Sequence, residues 1–149
     1  MAATPEFTKA IPILPVRSVS ASLDFYRDKL SFEGHGMPAP PAEPVFGSVF
    51  RGKKADVNIY LSKLDEGSPV HPQHVYVMIA GEVVPNGATP EIDLLYDEMK
   101  REGAFSNADA DAQPENAQYS GFRQFDVVDL DGHKLTFFQH LPEGFFDSM

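Results

Sequence analysis

The sequence contains no cysteine and few cationic side chains. Without cysteine the chain forms no disulfide and offers no thiolate to zinc or iron, so any metal site must use histidine and carboxylate ligands. Twelve lysines and arginines against 22 aspartates and glutamates give a net charge of −10. That charge argues against binding to nucleic acid or to an anionic membrane surface, and it favours cationic ligands.

Long hydrophobic runs are also missing. No apolar stretch approaches the roughly 18 residues that a membrane-spanning helix needs, and the opening MAATPEFTKA lacks the pattern of a secretory signal. We therefore expect a cytoplasmic protein. With 149 residues, 42% of them hydrophobic, the chain has the size and composition of a single compact domain, residues 1–149.

Two segments have the apolar spacing of amphipathic helices. Ser18 is a suitable N-cap for the first, and Thr89 followed by Pro90 opens the second. The predicted buried stripes are Val19, Leu23, Tyr26 and Leu30 in the first helix, and Ile92, Leu95, Tyr96 and Met99 in the second.

Apolar and alternating stretches predict strands on either side of these helices. They are residues 11–16, 45–51, 55–61, 74–79, 122–128 and 134–139. The proline-rich segment 37–44 and the polar segments 81–89 and 106–120 read as loops, with one short strand near 104–105. The chain thus repeats the order strand, helix, about three strands. This order predicts an α+β fold of two βαβββ modules, about 8–62 and about 73–140, whose curved sheets surround a cavity with the helices outside.

Strand alternation assigns the two faces of each sheet. If Phe125, Val127, Leu135 and Phe137 pack under the helices, their neighbours Gln124, Asp126, Val128, Thr136 and Phe138 face the cavity. The apolar residues Val57, Ile59 and Leu61 leave Asn58 and Tyr60 on the cavity side. The remaining predicted lining residues are Ile11, Ile13, His74, Tyr76 and Met78.

Three stretches of this sequence resemble the vicinal oxygen chelate superfamily, which contains glyoxalase I, extradiol dioxygenases, fosfomycin-resistance transferases and bleomycin-resistance proteins. They are ILPVRSVSASLDFYRDKLSFE (13–33), IDLLYDEMKREGA (92–104) and GFRQFDVVDLDGHKLTF (121–137). The metal-ligand positions of the superfamily fall at Ile11, His74 and Thr136, so one ligand of three is present. Because such sites need about three protein ligands, the resemblance implies a chain without metal or other cofactor. Among the members of the superfamily, this sequence most resembles the bleomycin-resistance branch, whose proteins bind drugs in clefts between the subunits of a homodimer.

Eight side chains are the predicted ligand contacts: Asn58, Tyr60, His74, Tyr76, Gln124, Asp126, Thr136 and Phe138. An inward carboxylate near an imidazole, Asp126 near His74, suits a general base or a site for a ligand cation. Tyr60 and Tyr76 suit stacking on a planar or cationic ligand, and Asn58 and Thr136 suit hydrogen bonds to it. The structural alternatives are core packing for the tyrosines and a backbone-bonded or solvent-exposed Asp126.

Other polar residues have structural interpretations. Asp129 and Asp131 suit the turn before Gly132, and His133 and His140 are predicted to face solvent.

Three functions stay open at this point. The first is binding of a small, cationic or aromatic natural product or drug as a dimer, giving resistance by sequestration. The second is a metal-free isomerase or lyase that uses His74 and Asp126 as acid and base. The third is a metal enzyme with an unrecognised ligand set such as His71, His74 and a loop glutamate.

Overall fold

Two four-stranded sheets, each with one helix, make up the computed structural model, which describes residues 3–105 and 112–147. The elements in chain order are β1 (Ile13–Val16), α1 (Val19–Leu30), β2 (Glu33–Met37), β3 (Phe46–Arg51), β4 (Val57–Lys63), β5 (His74–Met78), α2 (Glu91–Arg101), β6 (Glu115–Ala117), β7 (Phe122–Val128) and β8 (Lys134–His140). The strand orders are β1-β4-β3-β2 and β5-β8-β7-β6. In each sheet the first pair is parallel and the other two are antiparallel. The predicted α+β fold with a repeated βαβββ order is confirmed. Within the described residues no helix is long and apolar enough to cross a membrane.

Two short strands differ from the prediction. β2 has the sequence EGHGM, whose two glycines give no apolar alternation to detect. The glycines allow close packing, because a Cβ atom on Gly36 would lie 2.7 Å from the Cβ of Pro44. The strand predicted near residues 104–105 is wrong: the short strand is β6, and Ala104 packs into the core. The predicted loop 106–120 lies partly outside the described residues.

The helix starts follow their capping groups. Ser18 caps α1 as predicted, and its Oγ accepts the N–H of Ala21 at 3.1 Å. The prediction of Thr89 as the cap of α2 is wrong by one residue, because Pro90 holds the N-cap position and provides no side-chain hydrogen bond. Instead Gln139 of β8 accepts the N–H of Ile92 at 3.1 Å, so a neighbouring strand satisfies the free end of this helix.

One continuous core joins the two modules. The apolar faces of both sheets and the buried stripes of both helices contribute to it. The predicted core residues of β7 and β8 are all at most 3% exposed: Phe125, Val127, Leu135 and Phe137. Because both sheets use their apolar faces here, their other faces point away from the core.

A buried polar junction crosses this core between α1 and the β7–β8 turn. Asp129 Oδ2 accepts the hydroxyl of Tyr26 at 2.8 Å, and Oδ1 accepts the N–H groups of Asp131 and His133 at 3.0 and 2.9 Å. The predicted turn role of Asp129 is thus confirmed. Burial raises the pKa of Asp129, and the hydrogen bond from Tyr26 opposes that rise.

The prediction that His133 faces solvent is wrong, since the side chain is fully buried. Its Nδ1 accepts the N–H of Gln73 at 2.9 Å and its Nε2 donates to the carbonyl of Pro15 at 2.6 Å. Beside it Asp131 accepts the backbone N–H of Arg17 at 3.0 Å. The β7–β8 turn therefore binds both β1 and α1 of the first module. His140, by contrast, is exposed as predicted.

We expect Tyr26→Phe to destabilise the protein by about 1.5–3 kcal/mol at neutral pH, the usual value of a hydrogen bond to a charged group. The folded Asp129 holds its proton to higher pH than the unfolded one, so its contribution to stability is lost as the pH rises through the folded pKa. Loss of the Tyr26 hydroxyl raises that pKa further, so the destabilisation should be larger at about pH 7 than at about pH 4.

Urea unfolding at both pH values measures this difference. Tyr119→Phe is the matched control, because the Tyr119 hydroxyl bonds to a neutral partner, Gln124, and its loss should cost about 0.5–1.5 kcal/mol with little pH dependence. An equal cost of Tyr26→Phe at the two pH values would contradict the assignment of an ionised carboxylate to the junction.

Candidate functional site

The outward sheet faces carry the predicted ligand contacts. The first face, on the sheet of β1–β4, includes Ile13, His35, Met37, Phe46, Ser48, Phe50, Asn58 and Tyr60. The second face, on the sheet of β5–β8, includes His74, Tyr76, Met78, Phe122, Gln124, Asp126, Val128, Thr136, Phe138 and His140. The structure thus brings six of the eight predicted contacts together on the second face and places Asn58 and Tyr60 on the first.

A chain of hydrogen bonds links the two groups with acid–base chemistry on the second face. His74 and Asp126 do not touch directly; Thr136 lies between them. Its hydroxyl donates to Asp126 Oδ1 at 2.6 Å, and His74 Nε2 lies 2.6 Å from the Thr136 hydroxyl oxygen. With the hydroxyl proton on the Asp126 side, His74 Nε2 donates to Thr136 and Nδ1 is the free ring nitrogen.

An aromatic cluster adjoins this chain. Phe122 and Phe138 stack with ring centroids 4.2 Å apart, and His140 meets the Phe122 ring edge-on at 4.8 Å. Tyr76 lies between the cluster and the polar chain, 5.8 Å from Phe138 and 4.8 Å from His74. Tyr76 remains 45% exposed, so part of its ring is available to a ligand.

Gln124 positions a second tyrosine at the edge of the same face. Its Nε2 donates to the Tyr119 hydroxyl at 2.6 Å, while its Oε1 accepts the hydroxyl of Ser120 at 3.1 Å.

Partial burial raises the pKa of Tyr76, and the neighbouring Tyr119 hydroxyl and the charge of Asp126 add to that rise. The phenol of Tyr76 is therefore a neutral donor at physiological pH. A cavity of about 470 Å³ opens beside Gln124 and Asp126.

The first face is smaller and less charged. Asn58 accepts the hydroxyl of Ser48 at 2.9 Å, so part of its hydrogen-bonding capacity is already used. The Tyr60 ring meets Phe46 edge-on at 5.1 Å, and His35 lies nearby in a shallow cavity of about 230 Å³. The cavities at the two faces have no lining residue in common.

The metal-ligand positions of the vicinal oxygen chelate resemblance do not form a metal site in this structure. Ile11 precedes β1, and Thr136 is the bridging hydroxyl beside His74. The part of the chain that the structure describes contains no group of three His, Asp or Glu side chains placed to hold an ion. The predicted alternative set of His71, His74 and a loop glutamate is therefore not brought together there.

Comparisons with known proteins address the fold. No protein-family profile matches the sequence, and no curated protein does. The bleomycin-binding protein of Streptomyces verticillus, solved with copper(II)-bleomycin, matches with a TM-score of 0.62 and 22% identity, over 94% of this chain and 100% of that one. The chain has the glyoxalase/bleomycin-resistance fold.

Two further solved structures share this fold. A glyoxalase-related enzyme from Clostridium phytofermentans has a TM-score of 0.64 and 19% identity over 92% of this chain and 98% of its own. The bleomycin resistance determinant encoded on transposon Tn5 has a TM-score of 0.63 and 19% identity over 89% of this chain and 97% of its own. These neighbours include a bleomycin-binding protein and a glyoxalase-related enzyme, so proteins of this fold serve different functions.

Sequence reasoning missed part of both faces. Phe122 and His140 belong to the second face, and extending the alternation of β7 and β8 by one step would have found them. Tyr119 lies in a turn before β7, where no periodic pattern applies. On the first face His35 lies on β2, the strand that the sequence did not reveal.

We expect the His74 imidazole to carry its proton on Nε2, because Thr136 accepts there. Thr136→Val removes that acceptor and should give a mixture of both tautomers, whereas Thr136→Ser should keep the single form. Long-range ¹⁵N–¹H spectra of the imidazole rings measure the tautomers. His133, fixed by Gln73 and Pro15, provides an internal reference that the substitution should not change. A wild-type His74 protonated on Nδ1 would contradict the assigned chain.

Proposed function

We propose that the protein binds a small cationic or aromatic molecule, without a metal, in clefts between the two copies of a homodimer. The binding would protect a cytoplasm by sequestering a natural product or drug. The observation that carries this proposal is the second face, where a carboxylate with a fixed hydrogen-bond partner lies beside a partly exposed aromatic cluster.

The second face suits a cationic aromatic ligand for two physical reasons. Tyr76 offers an exposed ring face, and aromatic faces attract cations by about 0.5–2 kcal/mol. Asp126 keeps one carboxylate oxygen free of the Thr136 hydrogen bond, so it has capacity for a ligand ammonium or guanidinium group. The net charge of −10 adds long-range attraction for such a ligand. Copper(II)-bleomycin bound to a protein of the same fold supports the ligand class.

The exposed apolar side chains support a dimer. Ile13, Met37, Tyr76 and Met78 are 56%, 58%, 45% and 49% exposed, and all four lie on strands on the sides away from the core. Tyr76 and Met78 are neighbours on one side of β5, and adjoining exposed apolar side chains of this kind mark interaction sites in soluble proteins. A second copy that covers these faces would enclose the ligand between the first face of one chain and the second face of its partner.

A second candidate function is a metal-free isomerase or lyase at the same place. The specific observation in its favour is the Thr136 bridge, which connects His74 to Asp126 and leaves His74 Nδ1 free to take a proton from a substrate. In this candidate His74 would be the base, and Asp126 would orient it through Thr136.

We expect Asp126→Asn to weaken the binding of metal-free bleomycin or of ethidium, a planar cation, by about tenfold, equivalent to about 1.4 kcal/mol. Tyr76→Leu should weaken it by about fivefold through loss of the ring face. Isothermal titration measures both changes. Asp65→Asn is the charge-matched control, since this exposed loop carboxylate lies outside both faces.

The absence of heat with either probe at about 1 mM would contradict the proposed ligand class. His74→Gln separates the two candidates. It should leave cation binding within about twofold if the protein only sequesters its ligand, whereas an enzyme with His74 as base should lose turnover by about 100-fold or more.

A further inference from the structure

The two modules meet at two equivalent junctions. The first is the polar junction between α1 and the β7–β8 turn, and the second lies between α2 and the β3–β4 turn. The residues of the two junctions correspond position by position. The last paired residues of the β3–β4 hairpin are Arg51 and Val57, and those of the β7–β8 hairpin are Val128 and Lys134. Both hairpins therefore have five-residue turns, in which Gly52 holds the place of Asp129 and Asp56 holds the place of His133.

The helices correspond in the same way. Tyr26 of α1 lies six residues before Phe32, and Met99 of α2 lies six residues before Phe105. All four side chains belong to or pack against the common core. Met99 therefore holds in the second junction the place that Tyr26 holds in the polar junction.

These replacements leave the second junction open. In the polar junction, the Tyr26 hydroxyl and the Asp129 carboxylate fill the space between helix and turn and bond at 2.8 Å. In the second junction a methionine faces a glycine, which has no side chain. A cavity of about 430 Å³ lies there between α2, the end of β5 and the β3–β4 turn. This volume is in the range of small-molecule sites.

The floor of the open junction is apolar. Phe32, Val77, Met99 and Phe137 line it, and each of these side chains is at most 5% exposed. An apolar group placed against this floor would gain the burial energy of a core side chain.

The rim of the open junction is acidic. Arg51 is occupied: it donates to both carboxylate oxygens of Glu98 at 2.8 and 2.9 Å and to the carbonyl of Leu30 at 2.9 Å. Asp56 and Glu91 also line the opening, and no cation among the described residues forms an ion pair with either. The rim therefore has two carboxylates without an ion-pair partner among the described residues, above an apolar floor.

We propose that the open junction is a second ligand site, which takes a small organic monocation with an apolar body, such as an arylalkyl amine. The aryl or alkyl part lies against Phe32, Val77 and Met99, and the ammonium group lies between Asp56 and Glu91. Apart from Met78 at the end of β5, the lining shares no residue with the outward sheet faces. The site is therefore independent of the proposed clefts.

Methionine methyl NMR tests this proposal on the full chain, with 4-phenylbutylamine as the probe and 4-phenylbutanol as its neutral counterpart. The sequence has five methionines. Met99 lies on the cavity floor, and Met37 lies in the cavity of the first face. We expect a saturable shift of the Met99 methyl with the amine and at least about fivefold weaker binding of the alcohol at that site. A separate shift of Met37 would report binding in the proposed clefts.

Asp56→Asn combined with Glu91→Gln should weaken amine binding by at least about fivefold. Both residues are exposed, so the change should leave the fold intact. Asp65→Asn combined with Glu66→Gln is the matched control, because it removes the same charge from an exposed loop and should leave the affinity within about twofold.

Four results would overturn the proposal. They are a Met99 methyl that does not move at about 10 mM amine, equal affinity for the alcohol, equal weakening by the control pair, and shifts confined to Met37. The last result would place the amine on the first face and would leave the proposed cleft function standing.

Discussion

Asp129 is a buried carboxylate on which three donors converge, and the arrangement of the two modules depends on it. One donor, the Tyr26 hydroxyl, comes from the first module, and two backbone N–H groups come from its own turn. A carboxylate removed from water costs several kcal/mol unless such donors replace its hydration. The three bonds therefore favour one position of α1 against the β7–β8 turn, and His133 fixes β1 to the same turn through Pro15.

This fixed arrangement determines where ligands can be bound. The common core occupies the apolar face of each sheet, so the aromatic and polar faces point outward. The cavities on the two faces have no lining residue in common, so the faces are separate surfaces of one chain. Under the proposed function the two faces are half-sites of a cleft, and a second copy of the chain would enclose a ligand between them.

Much of the fold follows from sequence periodicity. The alternation of β7 and β8 predicted the core residues Phe125 and Val127 and grouped Asp126 with Thr136 on the other face. β2 was not predicted, because two of its five residues are glycines that allow close packing and the strand has no alternation of apolar side chains. His133 is buried because its ring nitrogens bond to Gln73 and Pro15, which are distant in sequence, and no local pattern contains that information.

The candidate site was predicted less completely than the fold for a related reason. Alternation places a side chain on a face but says nothing about which neighbours it reaches. Sequence reasoning put His74 and Asp126 on one face, while the Thr136 bridge between them depends on the parallel register of β5 with β8. The open junction could not be predicted from the sequence, because it is recognised only when the registers of the β3–β4 and β7–β8 hairpins are known.

Subunit mixing tests most directly whether two copies of the chain form the proposed clefts. Tyr60→Lys should disable the first face and Tyr76→Lys the second, so each homodimer alone should bind no ethidium. After the two variants are refolded together, about half of the dimers are mixed and each has one intact cleft, so about a quarter of the wild-type sites should return. Native mass spectrometry verifies the mixed dimers. Mixed dimers without recovered binding would contradict the account.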